Sequence, residues 1–435
     1  MAESIIDHAR RGPNGAGMPR WLPRSITAEI RARFLRSFND LPWGCIRLKD
    51  PRGERMLGVP SNPGPQVSVT VHDLDFYVYA GLGGSVGAGQ SYFLGLWDSD
   101  ELVELVRIMA RNRDLLDGMD GGLARITQPL YQWFHRRREN SLGGSRANIS
   151  AHYDLGNDFF ELMLDESMMY SSGIYMGADT TLAEAQQHKL DLLCDKLQLT
   201  PDVHLLEIGT GWGGLAIHAV RRHGCRVTTT TISREQFDYA RRRVAEAGLE
   251  DRITVLCEDY RDLSGRYDRI VSVEMIEAVG DRYFDLYFRR LDELLENDGM
   301  VLLQAITIED QRYEKYRKSV DFIKRFVFPG GCLPSVCSML DSVRRVTHLR
   351  VRHLEDIGEH YARTLSDWRH TCDAKASELL ALGYPDTFQR LWRYYLAYCE
   401  GGFLERAIGD VQILFEKPGS RWPAPLLGVP RGLHP

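Results

Sequence analysis

Between Val203 and Ile306, apolar runs of five to seven residues alternate with amphipathic stretches, a pattern satisfied by a parallel sheet covered with helices and by little else. Strands are expected at Val203 to Ile208, Arg226 to Ile232, Ile253 to Cys257, Tyr267 to Val273 and Met300 to Ile306. Thr181 with Glu184, and Ser233 with Gln236, have the spacing of capping boxes, so a helix is expected to open at each. Leu190, Leu193, Cys194 and Leu197 share one face of the first helix, Gly248 ends the second, and Phe284, Phe288 and Leu291 mark a third. Val411 to Phe415 reads as a final strand, which leaves Ile308 to about Arg406 as mostly helical material inserted before the sheet finishes. The expected class is α/β, with a doubly wound, mostly parallel sheet.

A chain of 435 residues is long for one such sheet alone. Residues 1–23 carry Gly12, Pro13, Gly15, Gly17, Pro19 and Pro23 among few apolar residues and read as a flexible tail. A smaller α+β domain is expected over residues 24–120, from strand-like pieces at Cys45 to Leu48, Val67 to Val71 and Phe76 to Tyr79 and the helical stretch Glu101 to Met109. Residues 121–147 read as a connector, 148–418 as the large domain and 419–435 as a second tail. No run of about 18 apolar residues and no apolar signal core is found, so a cytoplasmic address is expected. Eight cysteines without a CxxC pair argue against a zinc site or a disulfide framework, and no metal is expected. A formal charge of −6 gives no reason to expect nucleic acid. Positive charge is uneven: seven arginines stand against the single acid Glu29 between Arg10 and Arg36, and Arg136, Arg137 and Arg138 form a second cluster. Such runs are either solvated faces or docking points on anionic lipid, worth about 1 kcal/mol per basic residue near the surface.

The first expected strand leads into Glu207-Ile208-Gly209-Thr210-Gly211-Trp212-Gly213-Gly214, whose glycines let the backbone turn tightly and approach a ligand at the head of a helix. Gly209, Gly211 and Gly214 also satisfy the GxGxxG of dinucleotide sites. Those sites hold a ribose with an acid about 20 residues on, where this sequence has only Thr228-Thr229-Thr230-Thr231. Its acid, Glu207, stands instead just ahead of the first glycine. A carboxylate there suits the amino group of an amino-acid-bearing cofactor such as S-adenosylmethionine and would repel a pyrophosphate; a purely structural glycine turn is the third reading. Asp259 and Tyr260 stand where a switch-point crevice accepts an adenine, and equally where an ordinary Asp turn meets a half-buried tyrosine. Thr231 and Gln236 can reach ribose hydroxyls, unless Gln236 is only half of its capping box.

From about Asn148 to Lys417 the sequence resembles the cyclopropane-fatty-acid synthase family of S-adenosylmethionine-dependent methyltransferases. The matching text includes His152-Tyr153-Asp154-Leu155-Gly156-Asn157-Asp158-Phe159-Phe160, Tyr170-Ser171-Ser172-Gly173, Leu182-Ala183-Glu184-Ala185-Gln186 with Lys189, and the glycine loop. It continues with Thr231-Ile232-Ser233-Arg234-Glu235-Gln236, Glu258-Asp259-Tyr260-Arg261-Asp262, Glu274-Met275-Ile276-Glu277-Ala278-Val279-Gly280 and Phe328-Pro329-Gly330-Gly331-Cys332-Leu333-Pro334. Gly89-Gln90-Ser91-Tyr92 and Gly95-Leu96-Trp97 extend a looser likeness into the smaller domain. Glu274 to Gly280 and Leu303-Gln304-Ala305-Ile306 look closer to the plant-type and UfaA-like branch than to the enterobacterial one.

The resemblance implies a class I methyltransferase sheet (Rossmann-like), S-adenosylmethionine as donor, and unsaturated phospholipid acyl chains as acceptor. It implies donor contacts from Tyr170, Ser171, Gly209, Gly211, Thr231, Gln236 and Tyr260, to which the residues themselves add Glu207 and Asp259. It implies a bound bicarbonate acting as base, with Ser172, Glu277, Gln304, Tyr361 and Cys399 matching its ligands. Ser172 stands where many members have Cys, and Gln304 where many have His. Peripheral association with the inner face of the membrane and a homodimer through a lipid-binding first domain are further expectations.

An alkene is a poor nucleophile with no proton to lose beforehand, so the donor must be held in line with it. Methyl attack leaves a carbocation, which aromatic faces and one fixed negative charge lower in energy in a dry site. Glu277 is the candidate for that charge, acting directly or by orienting bicarbonate; without the resemblance it reads equally as a carboxylate at a helix N-terminus. Tyr361 and Cys399 would otherwise read as core, and Phe322, Phe326, Val327 and Phe328 as either an acyl-tunnel lining or plain core. The position of the base decides between a cyclopropane ring and a methylene or methyl branch, and Ser172 and Gln304 stand near that decision. The rival expectations are a methyltransferase acting on an amine and a lipid-binding relative without catalysis, against which Glu207, the glycines and Glu277 speak.

Overall fold

The computed structural model describes residues 24–113 and 156–421. The tail 1–23, most of the second tail, the connector 121–147 with Arg136, Arg137 and Arg138, and His152 to Leu155 lie outside the described residues. The chain forms two compact units: Met1–Leu164 with Ile308–Cys332 and Gly358–Gly409, and Asp165–Thr307 with Leu333–Ile357 and Asp410–Pro435.

The first unit opens with α1 (Arg24–Ser37), β1 (Cys45–Asp50), β2 (Gly53–Leu57), β3 (Gln66–Val71), α2 (Asp75–Phe93), β4 (Trp97–Ser99) and α3 (Leu102–Arg111). Its sheet has the order β2-β1-β3-β4, with β1 and β3 parallel and the outer pairs antiparallel. Phe76 to Tyr79, expected as a strand, is the first turn of α2. Aromatic and β-branched residues favour a strand locally, but this helix is buried nearly all round, so it shows no one-sided period. Gly84, at φ +55°, kinks it, and a Cβ on Gly81 would lie 2.6 Å from Ile30 of α1. After α4 (Asn157–Met163), which buries Phe159 and Phe160 completely, the chain enters the second unit.

There α5 (Leu182–Leu197) opens on the expected capping box: the Glu184 N–H donates to Thr181 Oγ1 and the Thr181 N–H to the Glu184 carboxylate. The sheet is then laid down as β5 (His204–Ile208), α6 (Gly214–His223), β6 (Arg226–Thr230), α7 (Arg234–Glu246), β7 (Ile253–Leu256), β8 (Tyr267–Val273), α8 (Phe284–Leu294) and β9 (Leu295–Ile308). The chain leaves for α9 (Asp310–Tyr316) and a π-helical turn at Ile323–Val327, and returns for α10 (Val336–Val346) and β10 (Arg350–Asp356). It leaves again for α11 (Gly358–Ala374), α12 (Ala376–Ala381) and α13 (Asp386–Leu404), then closes with β11 (Ile408–Glu416).

The sheet order is β10-β11-β9-β8-β5-β6-β7, parallel from β9 to β7, with β10 and β11 antiparallel. The Lys417 N–H donates to the Gly299 carbonyl and the Gln412 amide to Gln304, so β11 runs against β9. Within the stretch expected as mostly helical, Leu333–Ile357, with α10 and β10, groups with the sheet. β10 escapes the apolar pattern because it is an edge strand, with Arg350, Val351, Arg352, Leu354 and Asp356 exposed. Leu190, Leu205, Leu215, Val227, Val271, Leu302 and Leu414 form the core between sheet and helices. None of the eight cysteines, all among the described residues, forms a disulfide. Strand order reverses beside β5, which places a ligand crevice at the carboxyl ends of β5 and β8.

Candidate active site

β5 carries Glu207 and the glycine loop to that carboxyl edge. Gly209, Gly211 and Gly213 have φ of +105°, +51° and +85°, which only glycine adopts without strain. The Gly209 and Thr210 N–H groups both donate to the Thr230 carbonyl at 3.0 Å, tying the loop to the end of β6. A Cβ on Gly211 would meet nothing within 4 Å, whereas one on Gly214 would lie 2.3 Å from the Ser167 carbonyl. Gly211 therefore leaves room above the loop, and Gly214 permits close packing. Arg243 of α7 clamps this arrangement, donating to the carbonyls of Glu166, Ser167 and Trp212 at 2.9–3.2 Å.

Glu207 is 4 % exposed, and Thr229 Oγ1 donates to its carboxylate at 2.6 Å. The Thr229 hydroxyl also pairs with that of Thr210 at 2.7 Å. Burial pushes the Glu207 carboxyl up to about 8 despite the Thr229 bond. A cationic ligand group would offset that burial, so the ammonium of S-adenosylmethionine fits this carboxylate and the open space at Gly211. Thr231 Oγ1 donates to Gln236 Oε1 at 2.9 Å, so the Gln236 side chain turns to the end of β6 and does not close the expected capping box. Ser233 alone caps α7, accepting from the Gln236 N–H at 3.3 Å. Asp259 is buried and committed to Arg261, accepting from Nε at 2.8 Å and Nη2 at 2.6 Å. Half-buried Tyr260 stands edge-on to Tyr287 at 5.3 Å between ring centres.

α5 holds the neighbouring segment. One turn apart on its buried face, Gln186 donates to the Ser171 carbonyl at 2.8 Å and Lys189 Nζ to Ser171 Oγ at 2.7 Å. Tyr170 beside them is half-buried. Lys189 is fully buried, and desolvation pulls its ammonium down to about 8 against the opposing pull of Glu274, Asp165 and Asp410.

Ser172, Glu277 and Gln304 come together in this unit, in company the sequence did not announce. Glu274 ends β8 with φ +48°, a conformation that costs a non-glycine residue of order 1 kcal/mol or more. Its Oε1 accepts from the Ser172 N–H at 2.9 Å and from Gln304 Nε2 at 2.8 Å. Gln304 Nε2 also reaches Asp410 Oδ2 at 3.3 Å, and Gln304 Oε1 accepts from Gln412 at 2.9 Å. Asp410, wholly buried, is hydrogen-bonded to the Glu274 carboxyl, and burial with the charges of Glu274 and Glu277 pushes it well above the ordinary carboxyl range. Glu277, on a 3-10 turn, accepts from the Ile306 N–H at 2.5 Å through Oε1; among the described residues no donor reaches its Oε2. Burial and then the Glu274 charge push the Glu277 carboxyl up to about 8.

These residues do not fit a bound bicarbonate. The Gln304 amide is spent on Glu274, Asp410 and Gln412, the Ile306 N–H on Glu277, and the Ser172 N–H on Glu274, while its Oγ donates to the Gly173 carbonyl at 3.0 Å. A further anion would join the carboxyls of Glu274, Asp410 and Glu277, whose charges already oppose one another.

Tyr361 and Cys399 belong to the first unit. Tyr361 on α11 stacks on Phe403 at 4.6 Å, and burial pushes up the Cys399 thiol on α13. Phe322 and Phe326 lie in this unit's aromatic layer, Phe322 against Tyr394 at 4.7 Å and Phe326 against Phe93 at 5.3 Å, with Val327 buried and Phe328 against Tyr395 at 6.1 Å. Sequence reasoning quoted Lys189, Gln186 and Glu274 without giving them a role, and missed Asp410 and Gln412. Polar residues on buried periodic faces, such as Gln186 and Lys189 ahead of Leu190, were the available signal.

A central parallel order closed by one antiparallel strand, with a glycine loop and a buried acid after the first strand, defines a class I S-adenosylmethionine-dependent methyltransferase. Known proteins narrow this further. Residues 141–413 match the mycolic acid cyclopropane synthetase family, to which this chain belongs. Tuberculostearic acid methyltransferase UfaA1 of Mycobacterium tuberculosis is 40% identical over 404 residues, 90% of this chain and 92% of that one. Cyclopropane-fatty-acyl-phospholipid synthase of Escherichia coli is 36% identical over 363 residues, 83% and 90% of the two chains. The solved cyclopropane synthase MmaA2 from Mycobacterium tuberculosis superposes with a TM-score of 0.59 at 30% identity, covering 62% of this chain and 98% of its own. Mycolic acid cyclopropane synthase CmaA1, solved with SAH and CTAB, has the same score at 32% identity and the same coverage.

Proposed function

We propose that this enzyme methylates the double bond of unsaturated phospholipid acyl chains, giving a cyclopropane or a methylene or methyl branch. Glu277 carries the reading: a carboxylate oxygen that no donor reaches among the described residues, at the carboxyl edge of the sheet, in a chain whose relatives are named for fatty-acyl products. When bound, S-adenosylmethionine supplies an electrophilic methyl. Glu207 holds its ammonium, Gly209 and Gly211 let the backbone come close, Thr231 and Gln236 reach the ribose, and Tyr170, Ser171, Asp259 and Tyr260 complete the donor site. Ionised Glu277 would stabilise the cation left on the chain once its double bond has taken up the methyl. The aromatic layer around Phe322 and Phe326 offers the kind of apolar surface that suits an acyl chain.

Among the described residues no helix is long and apolar enough to cross a membrane. Peripheral binding at the inner face, assisted by the exposed Arg33 and Arg36, and a homodimer through the first unit extend the proposal. Purified enzyme with S-adenosylmethionine and vesicles of unsaturated phospholipid should yield acyl chains heavier by one CH2 in mass spectrometry, and NMR separates ring from methylene protons. Unaltered chains with a methylated amine head group would favour the nitrogen-directed rival.

A further inference from the structure

We propose that the proton lost after methyl transfer is taken by the protein's own carboxylates, Glu277 accepting it and the hydrogen-bonded Glu274–Asp410 pair acting as positioning residues, with no bicarbonate in the site. This rests on the acyl-methylation reading. Two observations carry it. The donors that Ser172, Gln304 and the Ile306 N–H would offer an anion are already spent, on Glu274, Asp410, Glu277 and the Gly173 carbonyl. And Glu277 Oε2 and Asp410 Oδ1 receive no N–H or O–H among the described residues, although water is excluded around them.

The pair explains itself physically. Two carboxyls in contact hold one proton between them, because both cannot ionise side by side. That leaves one negative charge on the pair opposite Lys189, and Glu277 ionises as the balance for the incoming sulfonium. The strained backbone of Glu274 is retained because it turns this carboxyl toward Ser172 and Gln304. The titratable groups around the cluster are Glu274 from the end of β8, Asp410 from β11, Tyr287 from α8 and Lys189 from α5, with Asp165 beyond the lysine.

In the final step a C–H bond of the added methyl breaks. Its electron pair closes onto the cationic carbon to form the ring, and Glu277 Oε2 receives the proton, later released to solvent. If a hydride has first moved across from the methyl-bearing carbon, the same pair forms the C=CH2 of a methylene branch.

The test compares wild-type enzyme, S-adenosylmethionine and unsaturated phosphatidylglycerol vesicles in carbon-dioxide-stripped buffer under nitrogen with the same mixture plus sodium bicarbonate. The expected rates agree within about twofold, and carbon-13 bicarbonate shows no saturable binding to the enzyme by NMR. A larger fall that bicarbonate restores, or saturable binding, overturns the inference and leaves the acyl reading standing. Glu274→Gln keeps both hydrogen bonds that Oε1 accepts but removes the charge, so the acid limb of kcat against pH should move down by about one unit or more. A lower kcat with the limb in place would mean that Glu274 is only structural, against the proposal. No methylated chains from wild type under either condition would overturn the acyl reading, and this inference with it.

Discussion

Glu207 and Glu277 are both withheld from water, and both are pushed up to about 8, yet they serve opposite needs. Under the proposed mechanism Glu207 would hold a cation that stays, and Glu277 would be ionised to receive a proton. A carboxyl raised from 4.5 to about 8 on folding contributes stability that is full below its unfolded value and is lost as pH rises toward and through 8. Glu207→Gln, which cannot ionise, should therefore melt above wild type in the donor-free state, increasingly so between pH 5 and pH 8 on the order of the linkage range. The same variant should bind S-adenosylmethionine roughly 10- to 100-fold more weakly by calorimetry, the loss of one charge-assisted bond; undiminished affinity would remove Glu207 from the donor site. For Glu277 the sign runs the other way in activity: kcat/KM should climb with pH to a limb near 8, where the free carboxyl ionises. Glu277→Gln should abolish turnover and spare donor affinity.

Among the elements, the glycine loop works because its neighbours are fixed from behind. Arg243 on α7 ties Trp212 to Ser167, and Gln186 and Lys189 on α5 hold Ser171 in place. Gly214→Ala would put a methyl 2.3 Å from the Ser167 carbonyl, so backbone must move. A loss of roughly 1–3 kcal/mol in stability is expected, together with weaker donor binding; an unchanged Tm would show that the segment yields freely. This scale also shows what a sequence makes legible. The capping box of α5 and the strands β5 to β9 depend on residues close in the chain, and they were read correctly. Gln236 had the spacing of a cap, but a bond to Thr231 drew its side chain elsewhere, and Phe76 to Tyr79 followed burial in α2 over local strand preference.

For the whole molecule, ligand linkage gives the broadest check. S-adenosylhomocysteine at one hundred times its Kd should stabilise the enzyme by about 2.7 kcal/mol and raise Tm; an unmoved Tm at saturation would mean that the donor crevice is not formed in the folded protein. The sequence by itself determined the alternating sheet, the loop at the head of its first helix, the acid beside it and the kinship with acyl-modifying methyltransferases, because each is written in contiguous residues. Only the tertiary structure decided that the carboxyls of Glu274 and Asp410 meet, that Gln304 is enclosed between β8 and β11, and that buried Lys189 faces the charges of Glu274, Asp165 and Asp410. Those neighbours are set by strand order and by the antiparallel return of β11, which brings together side chains far apart in the chain, and no local period records such a meeting.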